Sequence, residues 1–229
     1  ERKLQDFQKK LSTLTFLDPA CGSGNFLTET YLSLRRLKNE ILQELQGGQM
    51  VLGYDNMNPI QVSISQFYGI EINDFAVTVA KTALWIAESQ MMKETESIVL
   101  MHLDFLPLKT NAFIHEGNAL QVDWESVIPK YQLSYIMGNP PFVARAGRTK
   151  AKDSSSKGML DDTQKTDRLN VFGEDLGNVD YVACWFKKAA VFTKNTAIRC
   201  AFVATDSICQ GQQIYPIWKN ILQDDIYIN

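Results

Sequence analysis

Apolar positions along this chain alternate between a helical period and short continuous runs. Leu4, Phe7, Leu11 and Leu14 fall at helical spacing and predict a leading amphipathic helix over 1–14. Thr15-Phe16-Leu17 then reads as a first buried strand. Phe26, Leu27, Tyr31, Leu34, Leu37, Ile41, Leu42 and Leu45 form the apolar face of a long helix. Residues 67–72 predict a second strand. Ala76, Val79, Ala80, Ala83, Leu84, Ile86 and Ala87 predict the helix after it. A third strand is expected over 112–116, a short crossover helix over 124–129, and a fourth strand over 133–137. A helix from Asp180 to about Phe192, a fifth strand over 198–204, a helix on Ile214, Ile217, Trp218, Ile221 and Leu222, and a sixth strand over 226–228 follow. This alternation predicts an α/β fold, with a largely parallel sheet and helices on both faces.

Two stretches break the pattern. Gln46 to Pro59 is polar, with Gly47-Gly48 and Gly53, and is expected to be a linking insertion. Residues 143–178 carry Arg145, Arg148, Lys150, Lys152 and Lys157 around Ser154-Ser155-Ser156 and are expected to be a flexible polar loop. Its cations could meet phosphates, or be simply solvated.

Bulk properties narrow the class. A net charge of −3 excludes a protein that coats nucleic acid by charge alone, so any DNA contact must be local. Cys21, Cys184, Cys200 and Cys209 form no C-x-x-C pair, and with only His102 and His115 they build no zinc spacing, so no metal is expected. His115, inside a strand, reads as a packed core histidine rather than a base. Unpaired cysteines fit a reducing cytoplasm, and the apolar runs are too short for a bilayer. The chain is expected to be a piece of a longer protein, since it opens inside a helix pattern and stops just after a strand pattern.

The chemistry concentrates at predicted strand ends. Asp18-Pro19-Ala20-Cys21-Gly22-Ser23-Gly24-Asn25-Phe26 joins the first strand to a helix, where an adenosine-type ligand docks in open sheets. Leu27 occupies the third glycine position of a dinucleotide fingerprint, which disfavours a bound pyrophosphate, and no Gly-Lys-Ser/Thr follows for a P-loop. Glu71 ends the second strand, where a carboxylate can accept from both ribose hydroxyls. It lies further from the glycines than the usual twenty residues, which the insertion explains. Gly117-Asn118-Ala119-Leu120 follows the third strand and offers a small polar side chain to the edge of an adenine. Gly138-Asn139-Pro140-Pro141-Phe142 ends the fourth. Neither proline has an N–H to donate, so pairing stops in a stiff turn. That turn aims an amide, backbone carbonyls and a ring at one volume. Asn139 Oδ1 and a proline carbonyl can accept the two N–H bonds of an exocyclic amine, and Phe142 can cover the base.

These four stretches, in this order, resemble motifs I to IV of the S-adenosylmethionine-dependent DNA adenine-N6 methyltransferases. Asp180-Tyr181-Val182 with Trp185-Phe186, and residues 201–208, resemble one subgroup, the fused type IIG (MmeI-like) restriction–modification polypeptides. The resemblance implies a Rossmann-like class I methyltransferase core over 1–229, truncated before its last strand and lacking the target-recognition domain. It implies S-adenosyl-L-methionine as cofactor and cofactor contacts at Asp18, Ala20, Gly22, Gly24, Asn25, Phe26, Glu71, Ile72, Asn118 and Ala119. Asp18 would hold the cofactor ammonium, Glu71 its ribose, Ile72 its adenine face and Asn118 its adenine amine, at a position where the pattern more often has Asp. Asn139, Pro140, Pro141 and Phe142 would be catalytic. The implied partners are double-stranded DNA with a flipped target base, and target-recognition and nuclease domains of the same polypeptide; no membrane is involved. A protein glutamine methyltransferase, a DNA cytosine-N4 methyltransferase and a non-catalytic methyltransferase-like module remain as alternatives.

Overall fold

The computed structural model describes residues 2–46, 59–100, 103, 111–143, 160–173, 179–222 and 226–228. The elements run α1 (Arg2–Thr13), β1 (Phe16–Asp18), α2 (Asn25–Gln46), β2 (Phe67–Glu71), α3 (Asp74–Val99), β3 (Phe113–Glu116), α4 (Trp124–Val127), β4 (Tyr135–Gly138), α5 (Asp162–Phe172), α6 (Ala183–Thr193), β5 (Arg199–Phe202) and α7 (Ile214–Leu222). The strands form one five-stranded sheet in the order β3-β2-β1-β4-β5. Every pairing is parallel, with Leu17 opposite both Tyr68 and Ile136.

Strand alternation sends successive side chains to opposite faces. Leu17, Ile70 and Ile136 join one core with Trp124, Val182, Trp185 and Ile217. Phe16, Phe67 and Ile114 join the other with Leu27, Tyr31 and Leu84. Phe16 stacks between Phe67, at 5.2 Å, and Tyr135, at 5.3 Å, so one row of rings crosses the three central strands. On α3 the buried positions Val77, Ala80, Leu84, Ala87 and Met91 recur every three or four residues, the stripe of a helix laid on a sheet. Ile86, expected on that face, points outward and is 54% exposed. Asn73 caps this helix, accepting from Ala76 N at 2.9 Å. Arg35 of α2 is buried and donates to the Tyr31 hydroxyl, the Val62 and Met91 carbonyls and Thr95 Oγ1, which ties α2 to α3.

The structure corrects three expectations. Residues 226–228 form no strand, and Tyr227 and Ile228 are 81% and 66% exposed. Three apolar residues without a hydrogen-bonded neighbour do not make a strand. Within the expected loop 143–178, residues 162–172 form α5. Asp161 and Gln164 close a reciprocal capping box at its start, Asp167 and Phe172 are buried, and the helix packs against α6. Residues 144–159, with all five cations named above, and 174–178 lie outside the described residues, as do His102 and 47–58 of the expected insertion. His115 is exposed rather than packed, because β3 is an edge strand whose face there is only partly covered.

Gly69 shows how tightly β2 and the first turn meet. A Cβ built on it would lie 2.8 Å from Cys21 Sγ and 2.9 Å from Ile114 Cδ1. Gly69→Ala should therefore destabilise the fold by about 1–3 kcal/mol, the usual cost of overpacking, read as a lowered denaturant midpoint. Tyr131→Ala, at a side chain 84% exposed, should stay within about 0.5 kcal/mol of the parent.

Candidate active site

The carboxyl ends of β1, β2, β3 and β4 lead directly into the four sequence motifs. After β1 the chain turns through Gly22 at φ +53° and Gly24 at φ +82°, left-handed conformations that favour glycine. A Cβ at Gly24 would also meet Ala80 Cβ at 3.0 Å, so α3 presses on the turn. Glu71 secures it from the next strand. Its Oε2 accepts from Gly22 N and its Oε1 from Asn73 N, each at 2.9 Å. Each carboxylate oxygen keeps an acceptor site for a ligand hydroxyl.

Asp18 ends β1 and is 1% exposed. Its Oδ1 accepts from Ala20 N at 3.0 Å. On the other side lies Gly138, where a Cβ would come within 2.9 Å of Asp18 Cγ. Burial pushes the Asp18 carboxyl up to about 7; the Ala20 hydrogen bond opposes the shift and the Glu71 charge adds to it. Two neighbouring carboxylates beneath a glycine turn suit a ligand that brings a cation.

A cleft of about 430 Å³ opens along this edge of the sheet. It brings together Ala20, Glu71, Ile72, Asn118 and Ala119 with Asn139 and Pro141. Ile72, 66% exposed, offers an apolar surface beside the Glu71 carboxylate. Asp18, Gly22, Gly24, Asn25, Phe26, Pro140 and Phe142 stand outside that wall, at the end of β1, in the turn after it, at the start of α2 and in the turn after β4. Asn25 and Phe26 open α2, where Asn25 Oδ1 accepts from Ser23 Oγ at 3.3 Å. Phe142 is 45% exposed. Among the described residues, no group of His, Cys, Asp and Glu could hold a metal ion, and no helix is long and apolar enough to cross a membrane.

The far wall of the cleft comes from residues to which the sequence assigned no site role. It consists of Asp161, Thr163, Gln164 and Asp167 of α5 and its cap, with Tyr181 and Trp185 at the start of α6. Trp185 Nε1 donates to the Pro19 carbonyl at 3.0 Å, fastening α6 to the first turn. The turn after β3 is held in the same way. Trp124 Nε1 donates to the Ala119 carbonyl, and Lys188 Nζ donates to the carbonyls of Ala119, Leu120 and Val122 at 2.6–3.0 Å. Burial brings the Lys188 ammonium down to about 8, against the pull of Asp123 and Asp167. Asn118 is engaged twice. Its Oδ1 accepts from Leu120 N at 2.9 Å and its Nδ2 donates to Asp167 Oδ2 at 2.7 Å. The Asp161-x-x-Gln164 spacing could have revealed α5. The apolar stripe that usually accompanies such a box is weak here, since only Leu169, Val171 and Phe172 follow.

The family model described as "MmeI, DNA-methyltransferase domain" matches residues 1–229. DNA methyltransferase A of Bacillus subtilis (strain 168) is 38% identical over 232 residues, covering 99% of this chain and 25% of that protein. The Type IIL restriction-modification enzyme MmeI, solved in complex with DNA, superposes with a TM-score of 0.84 and 42% identity, covering 97% of this chain and 28% of that one. The ATP-dependent Type ISP restriction-modification enzyme LlaBIII, bound to DNA, shares the fold, with a TM-score of 0.50 at 12% identity. This chain thus spans about a quarter of the length of DNA methyltransferase A. Matched along its whole length and carrying the glycine turn, Glu71 and Asn139-Pro140-Pro141-Phe142 on one sheet edge, the chain belongs to the MmeI DNA-methyltransferase domain family, whose methyl donor is S-adenosylmethionine.

Proposed function

We propose that this chain transfers the methyl group of S-adenosylmethionine to the N6 amine of adenine in DNA. The observation that carries the reading is the cleft, which unites the Glu71–Asn118 end of the sheet edge with Asn139 and Pro141. The residues present suit the cofactor. Asp18 and Glu71 match an ammonium and a pair of ribose hydroxyls, and Ile72 matches the face of an adenine. When bound, the cofactor supplies an electrophilic methyl group on a sulfonium.

The chain's own task lies at the other end. Adenine N6 is a poor nucleophile, because its lone pair is delocalised into the ring. Asn139 Oδ1 and the Pro140 carbonyl accept its two N–H bonds and favour a pyramidal nitrogen whose lone pair is free to attack. Fixed dipoles and positioning supply the catalysis, and no strong base is needed. Phe142 stacks on the target base, which leaves the duplex at a cost of a few kcal/mol that stacking partly offsets. In the full-length protein this domain works with target-recognition and nuclease domains of one cytoplasmic restriction–modification polypeptide. The length of DNA methyltransferase A and MmeI, about four times that of this chain, supports that assignment.

Cytosine N4 poses the same chemical problem, so base identity is the decisive measurement. DNA from cells expressing the full-length protein should contain N6-methyladenine at one sequence. Expression of Asn139→Ala should abolish the mark while cofactor affinity changes little. N4-methylcytosine, or unaltered methylation by Asn139→Ala, would overturn the assignment.

Cofactor binding gives two further tests. Glu71→Ala should weaken S-adenosylhomocysteine binding by about 1.5–3 kcal/mol, the worth of hydrogen bonds to a charged group, as read by calorimetry. Asp18 should impose a pH dependence. Its carboxyl, raised in the fold from 3.8 to about 7, retains its proton where the unfolded chain has lost it. Ligand-free stability should therefore fall as pH rises from about 4 to about 7 and then level off. Asp18→Asn should flatten that slope in denaturant titrations across the same range.

A further inference from the structure

Asp167 is a buried carboxylate in the cleft wall that the reaction above leaves without a role. Three neutral donors converge on it, two from the turn after β3 and one from the residues leading into α6. Asn118 Nδ2, at 2.7 Å, and the Tyr181 hydroxyl, at 3.1 Å, donate to Oδ2, and Gln121 Nε2 donates to Oδ1 at 2.8 Å. Burial and the Asp167 charge hold the Tyr181 phenol above its ordinary range, so it remains a donor.

The consequence falls on Asn118. A primary amide is nearly symmetric in shape, and a half-turn exchanges its acceptor for its donors. Here both orientations are not equivalent. Leu120 N–H can only donate and the Asp167 carboxylate can only accept. A reversed amide would set its NH₂ against the first and its oxygen against the second. In the observed orientation Oδ1 keeps a second lone pair and Nδ2 a second hydrogen. That ordered acceptor–donor pair matches the edge of a 6-aminopurine, an amine beside a ring-nitrogen acceptor. A 6-oxopurine presents the reverse order, an oxygen beside a ring N–H. A free amide could turn to suit it; this one is held.

We propose that Asp167 is the specificity-positioning residue of the cofactor subsite. Together with the Leu120 N–H it fixes the sense of the Asn118 amide, and the amide so held selects a 6-aminopurine over a 6-oxopurine. The inference rests on the cofactor reading of the cleft. It also accounts for the amide at position 118: the negative charge that an aspartate there would bring stands instead on α5.

The test is calorimetry on the full-length protein with S-adenosylhomocysteine and its 6-oxo counterpart, S-inosylhomocysteine. The parent should prefer the amino ligand by on the order of 100-fold, as a site built to pair one polar pattern rejects its reverse. Asp167→Asn can pair with Asn118 in either sense and leaves only the Leu120 N–H to hold it, so the preference should fall by about tenfold. A purely structural role would weaken both ligands equally. Tyr181→Phe, which leaves the Asn118–Asp167 bond in place, should keep the parent ratio. An unchanged ratio in Asp167→Asn, or equal binding of both ligands by the parent, overturns the inference alone. Should Asp167→Asn fail to fold, Asn118→Ala takes its place: loss of the preference supports the inference, and a retained preference of about 100-fold overturns it. Binding of neither ligand by the folded parent overturns the cofactor reading and the inference with it.

Discussion

The carboxylate of Glu71 accepts from the backbone N–H groups of Gly22 and Asn73, and the two turns that build the site depend on that pair of bonds. One bond reaches back to the turn after β1 and the other to the residue that caps α3. Hydrogen bonds to a charged group contribute about 1.5–3 kcal/mol each. The glycine turn alone is a flexible loop with two left-handed positions. Joined to Glu71 on one side and pressed by Ala80 on the other, it holds one shape. The backbone thus orients this carboxylate by itself, through both of its oxygens.

Strand order places this turn beside the Asn139-Pro140-Pro141-Phe142 turn. β1 sits between β2 and β4, so the chain leaves its carboxyl end toward one neighbour and returns on the other. A crevice forms at such a switch point. Gly138 stands against Asp18 across it, and the absence of a side chain there lets the Asn139 turn approach the end of β1. The prolines then stop further pairing and leave Asn139 and Phe142 exposed.

The second half of the chain closes the cleft. α5 and α6 contribute its far wall; Trp185 and Lys188 of α6 each fasten a motif turn by hydrogen bonds, and Tyr181, just before α6, donates to Asp167 of α5. These are bonds across more than sixty residues of chain in the case of Lys188 and Ala119. The core that packs Val182, Trp185 and Ile217 on the sheet therefore also sets the position of the site.

The sequence by itself determined the order of strands and helices, the parallel sheet, and the four turns that carry chemistry. These features are local: a period of apolar residues, a glycine pair, two prolines after an asparagine. It placed Glu71, Asn118 and Asn139 at strand ends, and the structure brings those strand ends to one edge. It did not disclose α5, because that helix is polar on most sides and is held by its capping box and by Asp167 and Phe172, whose burial depends on elements distant in the chain. Nor did it disclose that the Asn118 amide is already paired, since Asp167 lies 49 positions away. His115 went the other way: a histidine in a strand is buried only if something covers that face, and on edge strand β3 nothing there buries it. The expected sixth strand failed for a similar reason, because Ile226-Tyr227-Ile228 has the composition of a strand and no neighbour to pair with among the described residues. Local pattern decides what a segment can become; which neighbour it meets is decided only when the whole sheet is assembled.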